Sequence, residues 1–349
     1  MEVVTIHIKK IAVMTGGGDC PGLNAVIRSV VLAAAGHDMK ILGIHNGWQG
    51  LIEGDVEELT TASVSGILSR GGTILGTSRT DPFRNPDDIG KIQKTMKASG
   101  IDALVVIGGD GTLSAASGIA GAGIPLAGIP KTIDNDILKT DSSVGFDTAV
   151  SIVTEMIDRL HTTAESHHRI MVVEVMGRNT GWIAVMAGIA GGADMVLVPE
   201  IRFTMDEVCR ELKARYMSGK KYSIVVVAEG IHHEDISPAK VPECDQDECG
   251  HEKFVGAGNL IGKEIEKRLG IETRVTVLGH VQRGGTPTAF DRVLATRFGA
   301  AAVEELAAGN TGFMVALQGF RIGTVPLKEI ATRIKPVSPA LCHLVKTPK

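Results

Sequence analysis

Aromatic residues are scarce in this sequence, and it contains neither a basic excess nor a long apolar run. Phe, Trp and Tyr make up 3% of the 349 residues, too few for the aromatic platform on which single-stranded nucleic acids stack. The formal net charge is −4 at pH 7, so any anion site must be a local cluster of basic side chains. No apolar run reaches the ~18 residues that a membrane span requires. The composition therefore predicts binding to neither nucleic acid nor membrane.

Cysteine is also rare, with five residues that form an odd and unevenly spaced set. Residues 1–10 are too short and too charged for a secretory signal, so we predict reduced thiols and a cytoplasmic location. Cys244, Cys249 and His251 follow a C-x4-C-x-H spacing, which lacks the second ligand pair of a structural zinc site. We therefore interpret residues 232–249 as a polar loop and keep a metal clip as the less favoured alternative.

Glycine is abundant instead, with 43 residues, and several of them follow apolar runs. Residues 104–107 are an apolar, β-branched run that predicts a strand buried on both faces of a parallel sheet. Gly108, Gly109 and Gly111 follow, and they allow a sharp turn and a close approach to a ligand. The small residues after Thr112 predict a helix, whose free N–H groups attract anions. This stretch therefore predicts a phosphate site.

A second apolar run, residues 124–129, is followed by Lys131, Thr132, Asp134 and Asp136. In an open α/β sheet the ends of neighbouring parallel strands line one crevice, where ligands bind. We therefore expect the first loop to hold phosphate and Mg²⁺ while the second supplies an acid or base.

Similar strand-and-loop units are predicted on both sides of this pair. A glycine loop joins a predicted strand and a predicted helix near the start of the chain, and its amides near Gly17 either face a phosphate or only form a tight turn. Strands are predicted at residues 11–14, 41–44, 169–175, 195–198, 222–228 and 274–278, and helices at residues 25–35, 142–160, 183–190 and 256–269.

Five arginines lie at predicted strand edges or in glycine-flanked loops, namely Arg79, Arg169, Arg178, Arg274 and Arg283. Any one of them is more often a structural or surface charge than a ligand. Because guanidinium binds phosphate in a bidentate manner, five in such places, alongside Lys131, predict substrates that carry several phosphates.

Seven segments together resemble the 6-phosphofructokinase family, in which they occur in the same order. They are MTGGGDCPGLNAVIR, GGTILGTSRT, VVIGGDGT, GIPKTIDNDI, VEVMGRNTGW, AEG and VLGHVQRGGTPTAFDR. GGDGT alone is weakly specific, since NAD kinases and lipid kinases use a similar loop, whereas PKTIDND, MGR and GHVQRGG together are highly specific. Cys20 and Lys131 make the chain most similar to the branch that mixes ATP-using and pyrophosphate-using enzymes.

The resemblance implies an α/β fold with two Rossmann-like three-layer domains, mainly parallel sheets and an active site in the cleft between them. The nucleotide-binding domain is expected at residues 1–145 plus about 282–332, and the fructose 6-phosphate-binding domain at about 146–281 plus 333–349. The implied reaction is the glycolytic phosphorylation of fructose 6-phosphate at its 1-hydroxyl by Mg-ATP. A homotetramer, or at least a dimer, is implied because the counterparts of Arg169 and Arg274 reach in from a neighbouring subunit.

The resemblance also implies roles for matching positions. Asp134 would be the general base, supported by Asp136 and Thr132, with Arg79 and Gly17 completing the catalytic set. Asp110 would hold Mg²⁺. The donor-binding residues would be Gly17, Arg79, Thr80, Gly109, Asp110, Gly111 and Thr112. The sugar-phosphate-binding residues would be Thr132, Ile133, Asp134, Arg169, Met176, Gly177, Arg178, Glu229, Arg274, His280, Val281, Gln282 and Arg283.

Two positions bear on the phosphoryl donor, and they disagree. Lys131 resembles the residue of the pyrophosphate enzymes, whereas Gly111 stands where those enzymes carry an aspartate that would crowd and repel the α-phosphate of a nucleotide. We favour ATP and keep two alternatives. One is a pyrophosphate-dependent fructose 6-phosphate 1-phosphotransferase. The other is a non-catalytic sensor of a sugar phosphate or a dinucleotide, against which Asp110, Asp134 and Asp136 argue. No allosteric effector is predicted.

Overall fold

The computed structural model describes residues 8–231, 256–330 and 334–346. Cys244, Cys249 and His251 lie outside these residues, so the interpretation of their loop stays a prediction. Within the described ranges, no helix is both long and apolar enough to cross a membrane.

The chain divides into two compact units, each made of two segments. The larger unit is Met1–Thr148 with Arg283–Ile334, and the smaller unit is Ala149–Gln282 with Lys335–Lys349. In chain order the strands are β1 (Lys10–Thr15), β2 (Lys40–Ile44), β3 (Val56–Leu59), β4 (Ala103–Gly108), β5 (Leu126–Pro130), β6 (Ile170–Val175), β7 (Met195–Leu197), β8 (Ser223–Ala228), β9 (Thr273–Val277), β10 (Phe313–Gln318) and β11 (Arg321–Pro326). The helices are α1 (Leu23–Gly36), α2 (Trp48–Glu53), α3 (Asp88–Ser99), α4 (Asp110–Gly121), α5 (Phe146–His167), α6 (Trp182–Ala190), α7 (Met205–Met217), α8 (Ala257–Leu269), α9 (Ala289–Ala307) and α10 (Pro339–Lys346).

The larger unit is built on a seven-stranded sheet of order β11-β10-β5-β4-β1-β2-β3. Its five inner strands are parallel, and β3 and β11 close the two edges in the antiparallel direction. The central strand β4 is buried at every position, as its β-branched sequence predicts. On one face, Leu104 and Val106 of β4 share a core with Ile92 of α3 and Leu113 of α4. Because the inner strands are parallel, the loops after β1, β4 and β5 leave the sheet at the same edge.

The smaller unit contains a four-stranded parallel sheet of order β7-β8-β6-β9. Alternate residues such as Val172 of β6 and Val225 of β8 pack in one core with Leu212 of α7 and Ile261 of α8. The loops after β6 and β8 therefore emerge at the same edge of this second sheet, which is where α/β proteins bind ligands.

The mainly parallel α/β architecture is confirmed, but some helix boundaries differ from the predicted ones. Helix α4 begins at Asp110, so that Asp110 and Gly111 lie in its first turn rather than before it. Helix α5 begins at Phe146 and not at residue 142, because Ser143 is tied to the preceding loop and Gly145 adopts a left-handed backbone with φ 100°. Both differences follow from tertiary contacts that periodicity does not report.

Candidate active site

The first glycine loop follows β1 and is held by the loop that precedes Arg79. The amide of Gly17 donates to Ser78 O at 3.0 Å, and Thr77 Oγ1 donates to Gly17 O at 2.6 Å. The Gly17 amide, which the sequence suggested as a hydrogen-bond donor to a phosphate, thus donates to a backbone carbonyl of the protein. Gly17 lies instead close to the α4 start, since a methyl group on it would stand 3.4 Å from Thr112 Oγ1.

Asn24 holds the loop that precedes Arg79 by hydrogen bonds from inside the protein. It is fully buried at the start of α1, and its Nδ2 donates to the carbonyls of Arg70 and Gly71, each at 3.1 Å. Its Oδ1 accepts the amide of Ile74 at 2.8 Å. The loop therefore leaves Arg79 exposed and Thr80 half-buried at a defined place. Sequence reasoning missed Asn24, although a buried amide within an apolar helix is a signal of a positioning role.

The N-terminus of α4 is open to solvent. Asp110 and Gly111 are exposed. Among the residues that the structure describes, no side chain caps the helix, and no atom outside the helix's own turn lies within 4 Å of a methyl group built on Gly111. The first amides of a helix lack intrahelical partners and favour negative charge. Thr112, in contrast, is buried and fills the space beside Gly108. The helix start therefore presents free amides and room for a ligand.

Asp110 is the one metal ligand that the sequence predicts. Neighbouring protein atoms displace water from its carboxyl and raise its pKa, so a bound cation would stabilise the ionised form. Among the residues that the structure describes, no group of three or more His, Cys, Asp or Glu side chains could hold a metal. Mg²⁺ is commonly bound through one or two carboxylates together with substrate phosphates, and the Asp110 carboxylate at the solvent-accessible start of α4 fits that type of site.

Lys131 lies underneath the first glycine loop. Lys131 is 2% exposed, and its ammonium donates to Gly16 O at 3.1 Å and to Gly18 O at 2.5 Å. Burial lowers its pKa, because charge is disfavoured away from water. Arg283 covers the loop from another side, 2.8 Å from where a methyl group on Gly18 would stand. The Lys131 ammonium thus donates to backbone carbonyls of the first glycine loop.

The loop after β5 carries Asp134 in a closed turn. The Asp134 amide donates to Thr132 Oγ1 at 3.1 Å, and Ser143 Oγ donates to Thr132 O at 2.7 Å. Between them, the buried side chain of Asn135 accepts the Ser143 amide at 3.2 Å and donates to Asp141 O at 3.3 Å. Asp134 is half-buried, whereas its neighbours Ile133 and Asp136 are buried. Asn135 was missed by sequence reasoning, yet it ties the two ends of the loop together.

Asp291 anchors the end of the same loop. This fully buried carboxylate accepts the amides of Gly145 and Thr148, each at 2.9 Å, and the Thr148 hydroxyl at 2.5 Å. Burial raises its pKa to about 6. Cys20 packs against Gly145 and donates to Val144 O at 3.4 Å, and burial raises the pKa of its thiol to about 12. Asp291 and Cys20 therefore hold the loop rather than contact a ligand.

In the smaller unit, the loop after β6 carries Met176, Gly177 and Arg178. Gly177 has φ 128°, a conformation that favours glycine, and its carbonyl accepts the Gly230 amide at 3.3 Å. Arg178 is half-buried, and its carbonyl packs directly on Gly230. Glu229 precedes Gly230, and its amide donates to the backbone carbonyl of Val175, the last residue of β6. Four of the predicted sugar-phosphate residues are thus brought together at one sheet edge.

The segment Gly279–Arg283 forms a short 3₁₀ turn after β9, and its residues differ in exposure. Gln282 is fully buried, accepts the Met176 amide at 3.2 Å and donates to Gly279 O at 3.0 Å. Its side chain therefore supports the Met176 loop. His280 and Val281 are exposed.

Arg169 and Arg274 lie at the opposite end of the smaller sheet. Arg169 precedes β6 while Met176 follows it, and a strand of six residues spans about 20 Å. Arg274 faces Met171 in the register of β9 on β6. Glu272 joins the two arginines, with Arg169 Nε 2.7 Å from Glu272 Oε2 and Arg274 bonded to Oε1. The structure therefore does not bring this pair to the Met176 loop within one chain.

Known proteins resemble this chain over nearly its whole length. The profile of the Phosphofructokinase family matches residues 10–306. A pyrophosphate–fructose 6-phosphate 1-phosphotransferase of Streptomyces coelicolor is 52% identical over 336 residues, which are 95% of this chain and 97% of that protein. ATP-dependent 6-phosphofructokinase 3 of the same organism is 50% identical over 332 residues, which are 95% of this chain and 97% of that protein. The T-state crystal structure of Pichia pastoris phosphofructokinase has a TM-score of 0.82 at 36% identity, and the match covers 93% of this chain but 38% of the yeast chain.

Proposed function

This chain belongs to the phosphofructokinase family, and we propose that it transfers the γ-phosphoryl group of Mg-ATP to the 1-hydroxyl of D-fructose 6-phosphate. The products are fructose 1,6-bisphosphate and ADP, and the reaction is the glycolytic one. The observation that carries the choice of ATP is the open space at Gly111, where a methyl group would have no neighbour within 4 Å in the described part of the chain. A donor that is larger than pyrophosphate has room to pass this position.

The α4 start supports donor binding by this chain. Free amides of the first helical turn favour the negative charge of a polyphosphate, and Asp110 stands beside them with an exposed carboxylate. Mg²⁺, held by Asp110 and the donor phosphates, would supply charge neutralisation on the transferring group. Arg79 is exposed on a loop that Asn24 holds, and its guanidinium adds a second positive charge there.

Asp134 supports the acid–base part of the proposal. The 1-hydroxyl of the sugar is a weak nucleophile, and a carboxylate within hydrogen-bond reach accepts its proton as the phosphoryl group leaves the donor. Thr132 and Asn135 hold the Asp134 backbone, which reduces the freedom of the carboxylate. We therefore assign the proton transfer to Asp134, with Asp136 in a supporting role.

Residues of the smaller unit bind the sugar phosphate in this proposal. Met176, Gly177, Arg178 and Glu229 do so from the loops after β6 and β8, and His280 does so from the turn after β9. Arg283, a further proposed contact, is the last residue of that turn and begins the second segment of the larger unit. Arg169 and Arg274 stand about one strand length from Met176, and this supports a site that a neighbouring copy completes with these two arginines. We therefore propose a homo-oligomer, a dimer or a tetramer, in the cytoplasm.

A pyrophosphate-dependent phosphotransferase is the second candidate. It is favoured by the name of the Streptomyces coelicolor relative at 52% identity and by the presence of Lys131. Against it, the Lys131 ammonium is buried and donates to the carbonyls of Gly16 and Gly18, which gives this residue a structural task that needs no pyrophosphate.

One assay separates these candidates. The purified protein is given fructose 6-phosphate and Mg²⁺ with ATP and, separately, with pyrophosphate, and fructose 1,6-bisphosphate is measured. We expect kcat/KM to be higher with ATP. A higher value with pyrophosphate would overturn the choice of donor, and turnover with neither donor would favour the non-catalytic sensor.

A further inference from the structure

The last part of the chain returns to the loop that carries the proposed sugar-phosphate residues. We call residues 176–182 the sugar-phosphate loop and residues 335–346 the C-terminal segment. Both belong to the smaller unit. One end of the sugar-phosphate loop is fixed by Gly230 and Gln282, and the other end, Gly181 and Trp182, is fixed by partners that lie outside the seven motif segments.

Glu200 forms the first of these contacts. It follows β7 and is half-buried, and its carboxylate accepts the Gly181 amide at 3.0 and 3.1 Å to its two oxygens. Glu200 Oε1 also accepts the amide of Val337 at 3.1 Å. Val337 is 3% exposed. One carboxylate therefore joins the end of the sugar-phosphate loop to the C-terminal segment.

Trp182 forms the second contact. Its indole Nε1 donates to Lys335 O at 2.9 Å, and the Lys335 ammonium lies 5.0 Å from the centroid of the same ring. The ammonium over an aromatic face adds a cation–π attraction. Beyond these residues, α10 packs on α6 and β7, so the segment is held along its length.

We propose that Glu200 and the C-terminal segment are positioning elements for sugar-phosphate binding. They fix the loop at Gly181 and Trp182, four and five residues after Gly177. A glycine gives the backbone extra conformational freedom, and anchors that restrict this freedom in advance reduce the entropy that is lost on binding. Arg178 lies between the two fixed ends. This inference rests on the proposed function for the identity of the ligand, but the anchoring itself does not.

Two substitutions weaken the anchors with little change in shape. Glu200→Gln removes the charge and, in either orientation of its amide, places an NH₂ group opposite the Gly181 amide, because both carboxylate oxygens accept from that amide. Trp182→Phe keeps an aromatic ring but loses the N–H donor. We expect each to raise the KM for fructose 6-phosphate by about 5- to 20-fold, as expected for the loss of one or two bonds to a charged or buried group. The KM for ATP should change by less than about twofold.

Matched controls are present in the chain. Trp48 is buried, and within the part of the chain that the structure describes its Nε1 has no hydrogen-bond partner, so Trp48→Phe removes an indole N–H without removing a bond. Glu211 is an exposed carboxylate on α7, so Glu211→Gln repeats the change of charge elsewhere in the same unit. Neither control should alter the KM for fructose 6-phosphate.

A second readout does not need turnover. The sequence has two tryptophans, so Trp182 is the only one in a Trp48→Phe background, and its fluorescence reports the anchor directly. We expect fructose 6-phosphate to change this fluorescence and to reduce its quenching by acrylamide. Adding Glu200→Gln should weaken the sugar-phosphate titration by the same factor as the KM and should increase quenching before ligand is added.

The outcomes separate this inference from the proposed function. Equal rises in the KM values for sugar phosphate and ATP, or unchanged kinetics in both variants, would overturn the positioning role. If the unaltered protein does not use fructose 6-phosphate, the proposed function fails, and hydrogen exchange then decides the anchoring alone. Faster exchange of the amides of residues 177–182 in the Glu200→Gln variant would support it, and unchanged exchange would overturn it.

Discussion

The loops of the larger unit that are proposed to bind the phosphoryl donor and the sugar-phosphate loop of the smaller unit differ in where their supporting residues lie in the sequence. In the larger unit the supporting groups lie inside the recognisable motifs, as with Asn24, which bonds to the loop before Arg79, and Lys131, which bonds to the first glycine loop. In the smaller unit Gln282 supports one end of the sugar-phosphate loop from inside a motif, whereas Glu200 and the C-terminal segment support the other end from outside the motifs. The motifs therefore contain only part of the support of the sugar-phosphate loop.

The largest effect is expected from the one side chain of the larger unit that is proposed to take a proton. Asp134→Asn should lower kcat by about 10²–10⁴-fold, or roughly 3–5 kcal/mol of barrier, while the KM values change little. Steady-state kinetics of the folded variant test this. Asp158→Asn, on the exposed face of α5, is the control. Near-normal kcat would remove Asp134 from the role.

The next change tests whether Gly111 selects the phosphoryl donor because it has no side chain. Gly111→Asp places a carboxylate where the structure leaves open space, and two unit charges about 4 Å apart repel by roughly 4 kcal/mol at an effective dielectric near 20. We expect the ratio of pyrophosphate-dependent to ATP-dependent kcat/KM to rise by at least about 10²-fold.

Gly111→Ala separates the two causes of that change. It adds bulk without charge at an exposed helix position, so a shift seen only with aspartate assigns the effect to repulsion. If the aspartate variant keeps its preference for ATP, Gly111 does not select the donor.

The smaller unit should respond in the opposite way, since it works through side chains that are present. Arg169→Ala should raise the KM for fructose 6-phosphate by about 10- to 100-fold, because charge-assisted bonds to phosphate are lost, and should raise the KM for ATP far less. Arg159→Ala, which breaks only an exposed pair with Glu155 on α5, is the control.

Mixing Arg169→Ala with Asp134→Asn tests whether the site is shared between copies. Mixed oligomers should recover part of the activity, because one interface then combines an intact Arg169 with an intact Asp134. Verified mixed oligomers without recovery would count against a shared site.

The smallest effect concerns the buried carboxylate that supports the Asp134 loop. Burial raises the pKa of Asp291 from 3.8 to about 6, so between these values the folded state binds a proton that the unfolded state has released. Stability therefore falls as pH rises from about 4 to about 7, and about 1.4 kcal/mol of this loss comes between pH 5 and pH 7. Asp291→Asn should remove this pH dependence.

Urea unfolding of the larger unit, followed by Trp48 fluorescence in a Trp182→Phe background, measures it. Asp158→Asn should leave the pH dependence as it is. The same pH dependence in the Asp291→Asn variant would show that another group is responsible.

The sequence predicted most of the strands that carry the site, because β4, β6 and β8 are short apolar runs ending in glycine or polar residues. It did not predict α9, although this helix has 19 residues. Its buried residues, among them Leu294, Ala295, Phe298 and Gly299, lie on one face, but the opposite face carries the exposed apolar residues Phe290 and Val293. Apolar residues on both faces weaken the hydrophobic period by which a helix is recognised in a sequence.

The same limit applies to the site residues. Asp110 and Gly111 could be placed from the strand-to-helix turn, since parallel strands fix where such turns lie. Lys131, which stays a predicted phosphate ligand, places its ammonium on the Gly16 and Gly18 carbonyls, a contact across 113 or more residues of sequence that was not predicted. Spacing alone does not reveal pairings of that range.

The antiparallel edge strands of the larger sheet affect how copies of the chain meet in concentrated solution. A strand edge is a template for pairing with another chain, and edge charges or proline oppose that pairing. Glu57 and Glu58 are exposed on β3, and β11 ends at the exposed Pro326. We therefore expect the protein to resist edge-to-edge aggregation. We expect copies to associate through helix and loop surfaces, so that neither edge strand pairs with another chain.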